Sequence, residues 1–119
     1  MKFGGCPGPV RDMTISVISN RRHGCPGMVD GVDLIKENGC YTVYRYIEDW
    51  DEEGDTIFEV NEYLRDIPEE ALKREIGRAT DGGVARWIKS HLIEKQSNAL
   101  DNIVEFLNKH NIPYKYTHL

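Results

Sequence analysis

The side chains best equipped for chemistry lie in the first forty residues: Cys6, His23, Cys25 and Cys40. Three thiolates and an imidazole form the donor set of a closed tetrahedral zinc site. Their spacing argues less clearly, since such sites usually draw two ligands from one short knuckle, and these cysteines stand nineteen and fifteen positions apart. Only His23-Gly24-Cys25 is a close pair. Cys25 is also a candidate nucleophile, because Arg21, Arg22 and His23 beside it favour a thiolate. It lacks a partner cysteine at C-x-x-C spacing, and no helical pattern follows whose dipole would assist. Two of the thiols belong to a repeated tetrapeptide, Gly5-Cys6-Pro7-Gly8 and Gly24-Cys25-Pro26-Gly27, in which Gly and Pro predict a tight turn with the sulfur at its tip. Zinc ligands, a reactive thiol and plain turn cysteines all remain open, the last being the simplest. An odd cysteine count points to free thiols, hence to a reducing compartment and an expected cytoplasmic location.

The second unusual feature is electrostatic. The net charge of −5 divides into +2 over residues 1–47, −10 over residues 48–70 and +3 over residues 71–119, so eleven of the twenty acids fall in 23 positions. At the centre of this block stands Glu48-Asp49-Trp50-Asp51-Glu52-Glu53-Gly54-Asp55. Counted as a calcium loop from Asp49, it places Val60 where a bidentate Glu is required, and its flanks read as strands, so an EF-hand is rejected. Asp49, Asp51, Glu52, Glu53 and Asp55 around Trp50 instead resemble an aromatic anchor ringed by charge, suited to a protein partner with a basic surface. In the opposing arrangement Trp50 folds back on its own sheet and the acids only solvate a turn. Such a surface repels nucleic acid backbone, and no apolar run approaches the roughly 20 residues of a membrane helix.

These groups need elements to hold them. Met13–Ser19 alternates and is β-branched, which predicts a strand; Asn20–Gly31 reads as a loop and Gly31–Lys36 as a short strand. Asn38-Gly39 supplies a two-residue hairpin turn into a strand over Cys40–Glu48. Thr56–Tyr63 is the next strand, so the acidic block becomes a hairpin tip. Asp66 with Glu69 resembles a capping box opening a helix to about Ala79, and Thr80-Asp81-Gly82-Gly83 is read as a break. The stripe Val84, Trp87, Ile88, His91 and Leu92 predicts an amphipathic helix, and Ser97-Asn98 starts another whose stripe is Leu100, Ile103, Val104 and Leu107, ended by Asn111 and Pro113. Tyr114–Leu119 could add an edge strand.

The order of elements predicts an α+β (or α/β) fold, with a mainly antiparallel sheet from the N-terminal half covered by two or three helices from the C-terminal half. The 119 residues suit one domain, with residues 1–12 expected to be poorly ordered. The expected activity is non-catalytic binding to another macromolecule, as a regulator, an inhibitor or an immunity-type protein. A thiol- or zinc-dependent role is the alternative.

Overall fold

The computed structural model describes residues 11–93 and 99–119. Five strands, β1 (Arg11–Arg22), β2 (Gly27–Glu37), β3 (Cys40–Trp50), β4 (Thr56–Pro68) and β5 (Lys115–His118), form one sheet in chain order. Every neighbouring pair is antiparallel. Three helices, α1 (Glu69–Ile76), α2 (Asp81–Leu92) and α3 (Ala99–Lys109), intervene between β4 and β5. The fold is therefore α+β, its sheet drawn mainly from the N-terminal half. No described helix is long and apolar enough to cross a membrane.

The sheet is longer than the expected strands because the segment read as a loop is mostly ladder. Asn20, Arg21 and Arg22 continue β1 and pair with Asp30, Val29 and Met28, leaving residues 23–26 as the whole turn. The second Gly-Cys-Pro-Gly is thus a hairpin corner, with Gly24 at φ 99° and a cis Cys25–Pro26 bond. The arginines obscured this because exposed charge at the end of an edge strand carries no apolar alternation. At the opposite end Asn38 (φ 52°) and Gly39 (φ 79°) both take the left-handed conformation of a two-residue hairpin turn, as Asn-Gly predicts.

The proposed capping box is not formed. Asp66 has φ 61° and sits in a bulge, where three steps of β4 from Leu64 to Ile67 match two of β3 from Val43 to Tyr41. Pro68 occupies the N-cap position without a side-chain cap, and the helix stops at Ile76, where Gly77 turns left-handed at φ 77°. Thr80-Asp81-Gly82-Gly83 is a helix start rather than a break. The Thr80 hydroxyl accepts the Gly83 N–H at 3.0 Å, and both glycines lie in the first turn of α2.

Strands of 11 to 13 residues span roughly 36 to 43 Å, whereas helices of 8 to 12 residues span about 12 to 18 Å. Among the described residues the buried positions on the helix-facing side stop partway along the strands, at Val32 of β2, Arg45 of β3 and Leu64 of β4, and the ends beyond them are not covered by a helix. The core takes Val32 and Leu34 from β2, Tyr41 and Val43 from β3, and Leu64 and Ile67 from β4, against Leu72, Ile76, Val84, Ile88, Ile103 and Leu107 of the helices. Its far boundary is the cross-strand pair Arg45–Glu62, at 2.9 Å, with the Tyr116 hydroxyl donating to the second Glu62 oxygen at 2.6 Å. Beyond that row Met28, Asp30, Ile47, Asp49, Val60 and Phe58 continue the same face past the helix layer.

Ionisable groups fasten the covered half. The hydroxyl of Tyr41, fully buried, donates to Asp81 Oδ1 at 2.5 Å, while Lys36 reaches Glu69 at 3.0 Å and Asp81 at 3.4 Å, and Lys73 reaches both carboxylates as well. Lys73 and Lys36 hold Glu69 below the usual carboxylate range, and the Tyr41 hydrogen bond does the same for Asp81. The carboxylates in turn raise Lys36 and Lys73, and burial pushes Tyr41 far up. β2, β3, α1 and α2 all meet at this cluster.

Of the α2 stripe, Val84 and Ile88 are buried, Trp87 is half-buried, and His91 is exposed, stacked on Trp87 at 4.5 Å. Trp87 also leans on Phe106 of α3 at 5.1 Å. Trp87→Ala is expected to lower unfolding stability by about 2 kcal/mol, less than a fully enclosed tryptophan would cost, as read from denaturant midpoints at constant m.

Candidate functional site

The sequence's two unusual segments meet at the uncovered end of the sheet. An antiparallel meander places the β1–β2 turn and the β3–β4 turn at the same end, and the register sets Gly27 directly opposite Trp50. Trp50 lies against Gly27 so closely that a Cβ there would stand 2.7 Å from its Cε2 atom. Its indole N–H donates to the Gly24 carbonyl at 2.6 Å. A Cβ on Gly54, in the acidic turn, would come within 3.8 Å of Cys25 Sγ, so the two tips stand side by side. Trp50 is half-buried and lies flat against the sheet at Gly27.

Two rows back the same device recurs. Tyr46 covers Gly31, where a Cβ would lie 2.6 Å from the ring carbon Cζ, and Gly31 is its cross-strand partner. Small residues under large rings let aromatic side chains lie flat on the ladder. Tyr44 stacks on Tyr63 at 4.7 Å with Arg65 over the Tyr63 ring at 4.1 Å, and burial beside Tyr63 pushes Tyr44 up to about 12. This aromatic band stiffens the face away from the helices.

The acidic turn is organised by Asp51. Its Oδ1 accepts the N–H groups of Glu53 at 3.0 Å and Asp55 at 2.9 Å, and its backbone N–H reaches the Asp55 carbonyl at 2.9 Å. Asp51 is therefore committed to the turn, while Glu52, Glu53 and Asp55 are exposed around it. Asp49 sits on the face shared with the helices, opposite Met28 and Phe58. Glu48 and Glu59, outside the set expected from sequence, are cross-strand partners on the open face, and Glu48 accepts the Thr56 hydroxyl at 2.6 Å. Counting outward from the Trp50–Thr56 pair would set Glu48 opposite Phe58; one bulge, between Asp49 and Trp50, shifts the register by a residue and brings Glu48 opposite Glu59.

The two described thiols, Cys25 and Cys40, are not brought together. His23 and Cys25 lie at one end of β2 and Cys40 at the other, about 30 Å away along the strand. Cys25 is exposed and Cys40 half-buried, and Cys6 lies outside the described residues. Among the described residues no three His, Cys, Asp or Glu side chains gather as a metal site would require. The helix start at Ser97-Asn98 likewise falls outside them.

The paired tips can present fixed negative charge on a rigid end. A comparison of the chain with protein-family models, with curated proteins and with solved structures finds no match in any of the three.

Proposed function

We propose that this chain is a non-catalytic binding protein acting in the cytoplasm, which recognises a basic surface on a protein partner through the acidic tip of its β3–β4 hairpin. The observation that carries this reading is the placement of the −10 segment. Its turn projects past the helix layer, closed by Asp51 and held to the neighbouring turn by Trp50, so Glu52, Glu53 and Asp55 are displayed at little further ordering cost. Trp50 serves as the support of the tip, and the carboxylates provide steering.

Reversing Glu52 and Glu53 together to Lys leaves Asp51 and the turn intact. The double variant is expected to slow association with partners retained from a cell lysate at least several-fold at low salt, with little change in dissociation, and high salt should slow the parent chain similarly. Equal association rates for parent and variant at low salt would remove the reading.

A further inference from the structure

β5 pairs with only four residues of β4, Glu62 to Arg65, and its last contact is the Leu119 N–H on the Asn61 carbonyl at 3.0 Å. From Val60 back to Thr56, no strand among the described residues lies on the outer side of β4. Alternate residues of this stretch turn their N–H and C=O groups outward, with the extra residue of the bulge opposite Asp49 and Trp50 falling at Ile57. Ile57 is 65% exposed and Phe58 52%, two of the largest apolar exposures on the described surface. A shallow hollow lined by Glu59, Val60, Glu62, Tyr116, His118 and Leu119 marks the point where β5 ends and the open edge begins.

Charge says what fits there. Glu48 and Glu59 face each other directly across the β3–β4 ladder, a like-charge pair that costs stability in the isolated protein. Glu52, Glu53 and Asp55 follow at the turn. A cation beside Glu59 would relieve the repulsion, and the nearest backbone position from which to deliver one is a strand paired with the open edge.

Resting on the reading of the acidic tip as a recognition surface, we infer that the outer edge of Thr56–Val60 takes up an extended basic segment of a partner protein as an additional strand, antiparallel to β4 and in line with β5. The alternation of a strand then dictates the segment's sequence. A Lys or Arg lies opposite Glu59 on the open face, and apolar residues lie opposite Phe58 and Val60, on the face continuous with the helix layer. Main-chain hydrogen bonds hold the segment and the carboxylates choose it. Such a mode explains why Phe58 and Ile57 are exposed beside backbone that no strand among the described residues pairs on its outer side, the combination that free edges otherwise avoid.

The probe is the capped peptide Ac-Thr-Val-Lys-Val-Lys-Thr-NH2, titrated into the full chain and followed by amide chemical shifts and hydrogen exchange. Protection of amides within Thr56–Val60 is expected, with binding weakened about tenfold or more when alternate peptide nitrogens are methylated, since two main-chain hydrogen bonds are lost. Glu59→Lys should weaken it comparably. Should the methylated peptide bind as well as the parent and only the Glu52 and Glu53 signals move, strand addition is wrong while acidic recognition stands. If the same peptide with Glu in place of Lys protects Thr56–Val60 equally, the edge is a docking site but its charge preference, and the acidic reading with it, fails. Absence of binding by every peptide overturns both.

Discussion

Gly27→Ala is expected to cost about 3 kcal/mol or more of unfolding stability, the largest effect of any single methyl group added at the uncovered end. Its Cβ would stand 2.5 Å from the Gly24 carbonyl oxygen, 2.7 Å from that of Arg22 and 2.7 Å from Trp50 Cε2. Two of those three atoms are backbone, so removing the ring cannot make room, and Trp50→Ala should not rescue the variant. Gly31→Ala provides the contrast. There the closest obstruction is the Tyr46 ring and the Ile18 carbonyl is 2.8 Å away, so adding Tyr46→Ala should recover part of the loss. Denaturant melts of the four variants and two doubles measure both couplings, and a Trp50→Ala rescue of Gly27→Ala would contradict the described corner.

The contrast also indicates how far the sequence could be read. Alternation around Met13–Ser19, the Asn38-Gly39 pair and the apolar stripes of α2 and α3 are local signals, and the strands and helices they predict are present. The antiparallel sheet from the N-terminal half and the helices from the C-terminal half follow from their order. What was illegible depends on register. That Gly27 lies under Trp50 and Gly31 under Tyr46 requires knowing which residues pair, and neither glycine stands near its ring in the chain. Asp66 and Glu69 have the spacing of a capping box, but a bulge forces Asp66 left-handed, and tertiary pairing overrides the local preference. At the tip, the acids, the turn and the aromatic were all visible. The pairing of the two turns was hidden because it joins segments 26 residues apart through one indole hydrogen bond.

The second large effect concerns the cluster around Asp81. Asp81→Ala should destabilise by about 2 to 3 kcal/mol, and Tyr41→Phe by only about 1 kcal/mol, because the first leaves a fully buried hydroxyl without its acceptor and the second removes donor and demand together. A cost for Tyr41→Phe equal to that of Asp81→Ala would show that the hydroxyl finds another acceptor. The pH dependence has a definite sign. Glu69 and Asp81 are held below their unfolded values, so their contribution is present above the ordinary carboxylate range and is lost as pH falls through the depressed folded values. Lys36 and Lys73 are raised, so theirs is present below the ordinary lysine range and is lost as pH rises through the elevated values. The parent should therefore gain stability from the cluster across the neutral range, and Asp81→Ala should flatten the acid limb of its stability curve. An acid limb as steep in the variant as in the parent would place that dependence elsewhere.

The meander order of the sheet has a kinetic consequence. β1 to β4 join through three successive hairpins, so each of their pairings closes a short loop, whereas β5 meets β4 only after the chain between Arg65 and Lys115 has folded back. Loop closure makes the first kind of contact fast and the second late. During synthesis the four-stranded sheet can zip before the helices that cover it have been translated. Through that interval β4 has a bare edge along its whole length, and the carboxylates concentrated on and around it repel other nascent copies when the sheet is most able to add a strand.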